Sequence, residues 1–156
     1  MNASRITLVA NSREEILAQI ERMAPEARRE VSPEWLAAVH AAAPDDPWLF
    51  GYAIRETESG RSIGTCGFKA PPNDDGMVEI AYGVNPEVEG RGFATEAAGL
   101  LVALAFETGQ VRLVRAHTFN ATNASTRVLQ KNGFHLVGPV IDPEDGEVWR
   151  WEKGRS

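Results

Sequence analysis

The apolar positions of the first forty residues recur at helical spacing. ITLVA, at 6 to 10, reads as a short strand. Ser12 and Glu15 then form a capping-box pattern, and Ile16, Ile20 and Met23 follow three or four apart, which predicts a helix over REEILAQIERM. A polar segment intervenes. Ser32 and Pro33 again provide an N-cap and a first-turn proline, and Trp35, Leu36 and Val39 form the apolar side of a second helix, which Pro44 and Pro47 stop.

From residue 48 the period falls to two. WLFGYAIRE and SIGTCGFKA, separated by the turn TESGR, predict an antiparallel hairpin, and PPNDDG turns the chain into a third strand, MVEIAYGV. In that strand Val78, Ile80, Tyr82 and Val84 share one face, while Glu79, Ala81 and Gly83 share the other. One face is core; the other is shallow and carries a carboxylate. A helix from Gly92 to about Thr108 is closed by Gly109, and VRLVRAHT at 111 to 118 has the two-sided apolarity of an interior strand. A last helix, about 123 to 132, is closed by Gly133, and strands are expected near 134–138 and 147–152. The mixed order predicts an α/β or α+β sandwich around one sheet, with a right-handed crossover over residues 77 to 118.

Composition narrows the class without naming a chemistry. A chain of 156 residues, 43% hydrophobic and 24% charged, is expected to fold as a single domain over 1–156 with one core. No apolar stretch reaches the roughly 20 residues a bilayer span requires. The N-terminus lacks a secretory pattern, so no membrane association and a cytoplasmic location are expected. The net charge of −6 argues against nucleic acid as a partner and for a cationic or amine substrate. Histidines 40, 117 and 135 form no ligand cluster, so no metal is expected, and the single cysteine, Cys66, reads as a small buried strand residue.

Chemistry concentrates in NPEVEGRGFATEAAGLLVALAF, residues 85 to 106. A strand, a loop with Gly90 and Gly92, and a helix N-terminus make an anion site, because first-turn N–H groups are unpaired and carry partial positive charge. The glycine pair alone is equally consistent with a tight turn. Neither the triphosphate loop nor the dinucleotide fingerprint fits its spacing.

Glu89-Gly90-Arg91-Gly92-Phe93-Ala94 resembles motif A of the GNAT superfamily of N-acetyltransferases, Gln/Arg-x-x-Gly-x-Gly/Ala, and NASTRVLQKNGF at 123 to 134 resembles its second signature. The combined pattern is most similar to the branch containing the ribosomal-protein N-terminal acetyltransferases and covers most of residues 5 to 152. The resemblance implies the acyl-CoA N-acyltransferase fold, a mostly antiparallel sheet of about six to seven strands flanked by about four helices. It implies acetyl-CoA as cosubstrate, a primary amine as acceptor (a small molecule or a protein N-terminus), and room for a homodimer.

Carried over by position, Tyr82, Gly83 and Val84 would pair with the pantetheine arm, Gly90, Arg91, Gly92, Phe93, Ala94 and Thr95 would hold the pyrophosphate, and Asn123 would touch the arm or cap the last helix. Glu89 stands where the family has Gln or Arg, so binding is expected to rest on the backbone donors of residues 90 to 95. Glu96 reads as a favourable first-turn acid. Glu79 is the candidate general base, with His117 as its rival. Leu129 occupies the position of the family's usual acid, a tyrosine, which leaves Ser125 or water to protonate the thiolate, or the weakly basic thiolate to depart unaided. Trp35, Trp48, Phe50, Trp149 and Trp151 read either as core or as walls of an acceptor cleft. A coenzyme A-binding module without catalysis, and a plain interaction domain, are the alternatives.

Overall fold

The computed structural model describes residues 5–44, 46–119, 124–143 and 145–155. Its elements run β1 (Ile6–Ala10), α1 (Arg13–Glu21), α2 (Pro25–Arg29), α3 (Pro33–Ala41), β2 (Tyr52–Glu56), β3 (Ser62–Phe68) and β4 (Met77–Val84). A 3-10 turn at Pro86–Val88 leads to α4 (Phe93–Glu107), β5 (Leu113–Phe119), α5 (Ala124–Lys131), β6 (His135–Asp142) and β7 (Gly146–Gly154). The seven strands form one sheet in the order β1-β2-β3-β4-β5-β7-β6. β4 and β5 are its one parallel pair among the described residues, joined by the crossover through α4; the other neighbours are antiparallel.

Local signals hold where they were strongest. Ser12 Oγ accepts from the Glu15 N–H at 3.1 Å, and Glu15 accepts from the Ser12 N–H at 2.9 Å, so the capping box opens α1. Ser32 Oγ accepts from the Trp35 N–H and opens α3. Gly109 and Gly133 take positive φ just beyond α4 and α5 and end them.

Two expectations are corrected. The first hairpin strand is confined to Tyr52–Glu56, because residues 48 to 50 serve tertiary packing instead. There the Trp48 ring meets Phe68 edge-on at 4.8 Å, and Phe50 joins Ile16 and Val39 in a small second cluster. The segment read as polar connection contains α2, a five-residue helix that buries nothing and therefore shows no apolar period.

The core lies between one face of the sheet and α4 with α5. Phe93, Ala97, Ala98, Leu101, Val102 and Ala105 line the inner side of α4 and meet Val78, Ile80, Val114 and Ala116. Their small size lets α4 lie close to β4, which positions the loop that precedes it. On the opposite face, α1 and α3 cover part of the sheet, leaving Ala81 and Gly83 beside open space, with Glu79 on the same face under Lys69.

Candidate active site

β4 and β5 pair only from Met77 to Glu79, opposite Leu113 to Arg115. Beyond that point β5 continues to pair with β7, while β4 continues along β3 as far as Val84. The edge of β4 that faces β5 therefore runs on past its last paired residue, and a wedge opens between the two strands.

A cavity of about 370 Å³ fills the wedge. Its walls are Tyr82, Gly83 and Val84 of β4, the loop residues Glu89, Gly90 and Gly92, the first turn of α4, and Ser125, Arg127 and Lys131 of α5. Gly92 is the N-cap of α4 in the left-handed region, φ +85°, with no side chain capping the helix. The first intrahelical donor is the Glu96 N–H, to Gly92, so the N–H groups of Phe93, Ala94 and Thr95 precede it and the helix dipole is directed at the cavity. An anionic ligand suits this geometry.

Arg91 is exposed and does not line the cavity, whereas Arg127 and Lys131 do. Both lie within the second signature, where their charge was not singled out. Glu89 does line the cavity, beside the expected anion. Glu96 is engaged by Arg5, whose Nε donates to it at 2.6 Å and whose guanidinium stacks 4.6 Å over the Phe93 ring. That contact fastens the start of β1 to the start of α4. Asn123 lies outside the described residues.

Gly83 also lines a second space, a groove of about 730 Å³ on the other side of β4. A Cβ built on Gly83 would meet nothing within 4 Å. The missing side chain thus leaves the strand open at the point where cavity and groove meet. Beside this point, Tyr82 directs its hydroxyl toward the Ser125 carbonyl at 3.4 Å, and burial pushes the phenol up to about 12, which keeps it protonated.

The two rival bases are brought together. His117 Nδ1 lies 2.8 Å from Glu79 Oε2, and Lys69 Nζ lies 3.1 Å from the same oxygen. Arg150 Nε donates to His117 Nε2 at 3.1 Å. An arginine can only donate, so Nε2 is the acceptor and the ring proton resides on Nδ1, directed at Glu79. Both ring nitrogens are thereby engaged, and Glu79 is the carboxylate on which the network converges. The parts played by Lys69 and Arg150 had no signal in the sequence, because only the sheet topology sets them beside residues 79 and 117.

Trp149 and Trp151 belong to the core face, with Trp151 Nε1 donating to Thr118 at 3.0 Å, and Trp48 is also core. Of the aromatics considered for the acceptor cleft, Phe50 lines the groove and Trp35 its extension beneath α1. Leu129 is fully buried, and burial pushes the Cys66 thiol up to about 12, which makes it a poor nucleophile. No group of three or more His, Cys, Asp or Glu side chains among the described residues could hold a metal, and no helix there is long and apolar enough to cross a membrane.

Comparison with known proteins agrees with this layout. Residues 5–135 match the family described as acetyltransferase (GNAT) domain. An N-acetyltransferase named p20 from Bacillus licheniformis is 30% identical over 95 residues, 61% of this chain and 52% of that protein. The chain spans about half the length of the curated relatives it matches. Among solved structures, the ribosomal L7/L12 alpha-N-protein acetyltransferase RimL in complex with coenzyme A superposes with a TM-score of 0.72 at 16% identity, covering 97% of this chain and 95% of that one. The aminoglycoside acetyltransferase AAC(6')-Ib in complex with coenzyme A and kanamycin gives 0.70 at 19% identity, covering 96% and 95%. Likeness at such identities speaks for the fold.

Proposed function

The chain belongs to the GNAT acetyltransferases, and from that premise we propose that it transfers an acetyl group from acetyl-CoA to a primary amine by direct attack in a ternary complex. The observation that carries the reading is Gly83, the bare position on β4 where an anion-suited cavity meets an open groove.

The cavity fits the cosubstrate on its own features. The uncapped start of α4 and the cations of Arg127 and Lys131 suit phosphates, and the unpaired edge of β4 suits an amide-bearing arm. When bound, acetyl-CoA supplies an acyl thioester. Tyr82 to Val84 orient the arm, Gly90 to Thr95 hold the pyrophosphate through backbone donors, and Asn123 is assigned by resemblance to the arm.

Attack requires the amine in its neutral form. Glu79 stands four residues from Gly83 along β4, roughly 13 Å, so the amine's proton reaches it through a relay of water that leads from the groove past Lys69. Lys69 and His117 hold Oε2, which leaves Oε1 to accept. His117, with both nitrogens engaged, positions Glu79 and is not the base. The proton for the departing thiolate comes from Ser125, from water, or from Tyr82, whose neutral phenol lies in the same cavity.

Release of free thiol on mixing the protein with acetyl-CoA and a panel of amines tests the reading, and absence of release with every amine overturns it. A coenzyme A-binding module without turnover is the second reading. Leu129 at the usual tyrosine position and Glu89 in the cavity wall favour it. Tight coenzyme binding without thiol release would decide for it.

A further inference from the structure

The groove beside Gly83 does not end at the sheet. It runs into a pocket of about 510 Å³ beneath α1, and the two share Ile16, Gln19, Phe50, Gly51, Phe68 and Lys69. The pocket's remaining wall is apolar: Ile20 comes from α1, Met23 from just beyond its end, Val31 from the approach to α3, Trp35 from α3, and Leu49 from the loop before β2.

Charge in the combined space is sparse and of the wrong sign for a polycation. The charged groups lining it are Glu15, Arg55 and Lys69, one carboxylate against two cations; Tyr52, Cys66 and Tyr82 add only neutral acids. Glu15 is already committed to the Ser12 backbone N–H at the start of α1. Glu79 lines neither space, and Lys69 screens it from the pocket by pairing with it. An acceptor with several ammonium groups would leave all but one without a partner, against two fixed positive charges. An acceptor with an apolar body would displace water from Ile20, Met23, Val31, Trp35 and Leu49, at about 25 cal/mol per Å² buried.

We propose that the acceptor is a primary amine carried on an apolar body without a second positive charge, its body seated between α1 and α3 and its amine at Gly83. This rests on the reading of the chain as an acetyltransferase. The chemistry is shared by a free aralkylamine and by the N-terminal residue of a peptide with an aromatic or aliphatic side chain.

Thiol release is measured with acetyl-CoA and four acceptors: phenethylamine, the amide-capped dipeptide Phe-Gly, spermidine and kanamycin. Phenethylamine or the dipeptide is expected to exceed both polycations in kcat/KM by about tenfold or more, the scale that one or two methylenes in a hydrophobic pocket produce. The better of those two identifies the source. Calorimetry of phenethylamine into protein saturated with free coenzyme A is expected to show binding, and spermidine none. Ile20→Asn, at a half-buried position, should lower kcat/KM for the apolar amine about tenfold. Gln19→Glu, exposed at the junction of the two spaces, should raise relative activity toward spermidine several-fold. Polycations that match or exceed the apolar amines overturn the inference and leave the acetyltransferase reading standing. No release with any acceptor, at full coenzyme binding, overturns both.

Discussion

Glu79 alternates with the core residues of β4 and so points away from α4, yet it is not a simple solvated carboxylate: a lysine, a histidine and, through the histidine, an arginine converge on it. If it takes the amine's proton, Glu79→Gln lowers kcat by roughly 10²-fold or more while the acetyl-CoA Kd stays put, because removal of a general base typically costs that much. Steady-state kinetics beside calorimetry checks both halves, and an unchanged kcat would remove Glu79 from the mechanism. The weak acids along the groove set a different pH limit. Burial raises the Cys66 thiol and the Tyr82 phenol, each to about 12, by disfavouring their charged forms. Since the unfolded chain releases these protons first, near pH 9 to 10, stability is fully present below that range and declines toward 12. Each group contributes a slope of about 1.4 kcal/mol per pH unit while only the unfolded form is ionised. Urea unfolding at pH 8, 9.5 and 11 should show the decline, and Cys66→Ala should flatten it; an equal slope in the variant would refute the thiol's share.

At the scale of elements, two glycines on neighbouring strands do opposite things. Gly64 on β3 lets the strands close, since a Cβ there would overlap the Gly83 carbonyl and stand 2.8 Å from Val84 Cα. Gly64→Ala is therefore expected to cost about 1–3 kcal/mol, the usual range for overpacking, and to lower the melting temperature by several degrees. Gly83→Ala should melt like the parent, because its new methyl enters open space, yet lose both coenzyme affinity and turnover because that space is the meeting point of cavity and groove. The contrast separates strand packing from ligand access. It also shows what the sequence can and cannot carry. The capping box at Ser12, the glycines that end α4 and α5 and the alternation in β4 were legible because each is settled by neighbours within a few residues. Trp48 and Leu49 looked like strand because they are apolar, but what places Trp48 is Phe68, twenty positions along the chain. Trp149 and Trp151 share a face in any strand; only the position of the helices decides that the face is core. Lys69 and Arg150 reach their sites through topology, to which no local pattern corresponds, whereas Arg127 and Lys131 sit inside a legible signature and only the folded cavity shows what their charge faces.

Taken whole, the molecule is a sheet divided by its own wedge, with β1 to β4 on one side and β5, β7 and β6 on the other, joined by three register pairs at Met77–Glu79 and bridged by α4. A ligand in the wedge would touch both halves at once, β4 and α4 on one side and α5 on the other. Binding to the folded chain alone must then raise global stability: coenzyme A at a hundred times its Kd adds about 2.7 kcal/mol. For a chain of this size that is a rise in melting temperature of roughly 5 to 10 °C. The rise should shrink in high salt, since part of the attraction is between phosphates and exposed cations, and Arg127→Ala with Lys131→Ala should shrink it further while leaving the melting point without coenzyme near the parent's. Apolar amines alone should give little, because the groove touches β2 to β4 with α1 and α3 but not β5 or α5. A coenzyme-dependent rise excludes the plain interaction domain, and thiol release then separates the enzyme from the silent binding module. No rise at any coenzyme concentration would mean that the wedge is only a feature of the fold, and the acetyltransferase reading would fall with it.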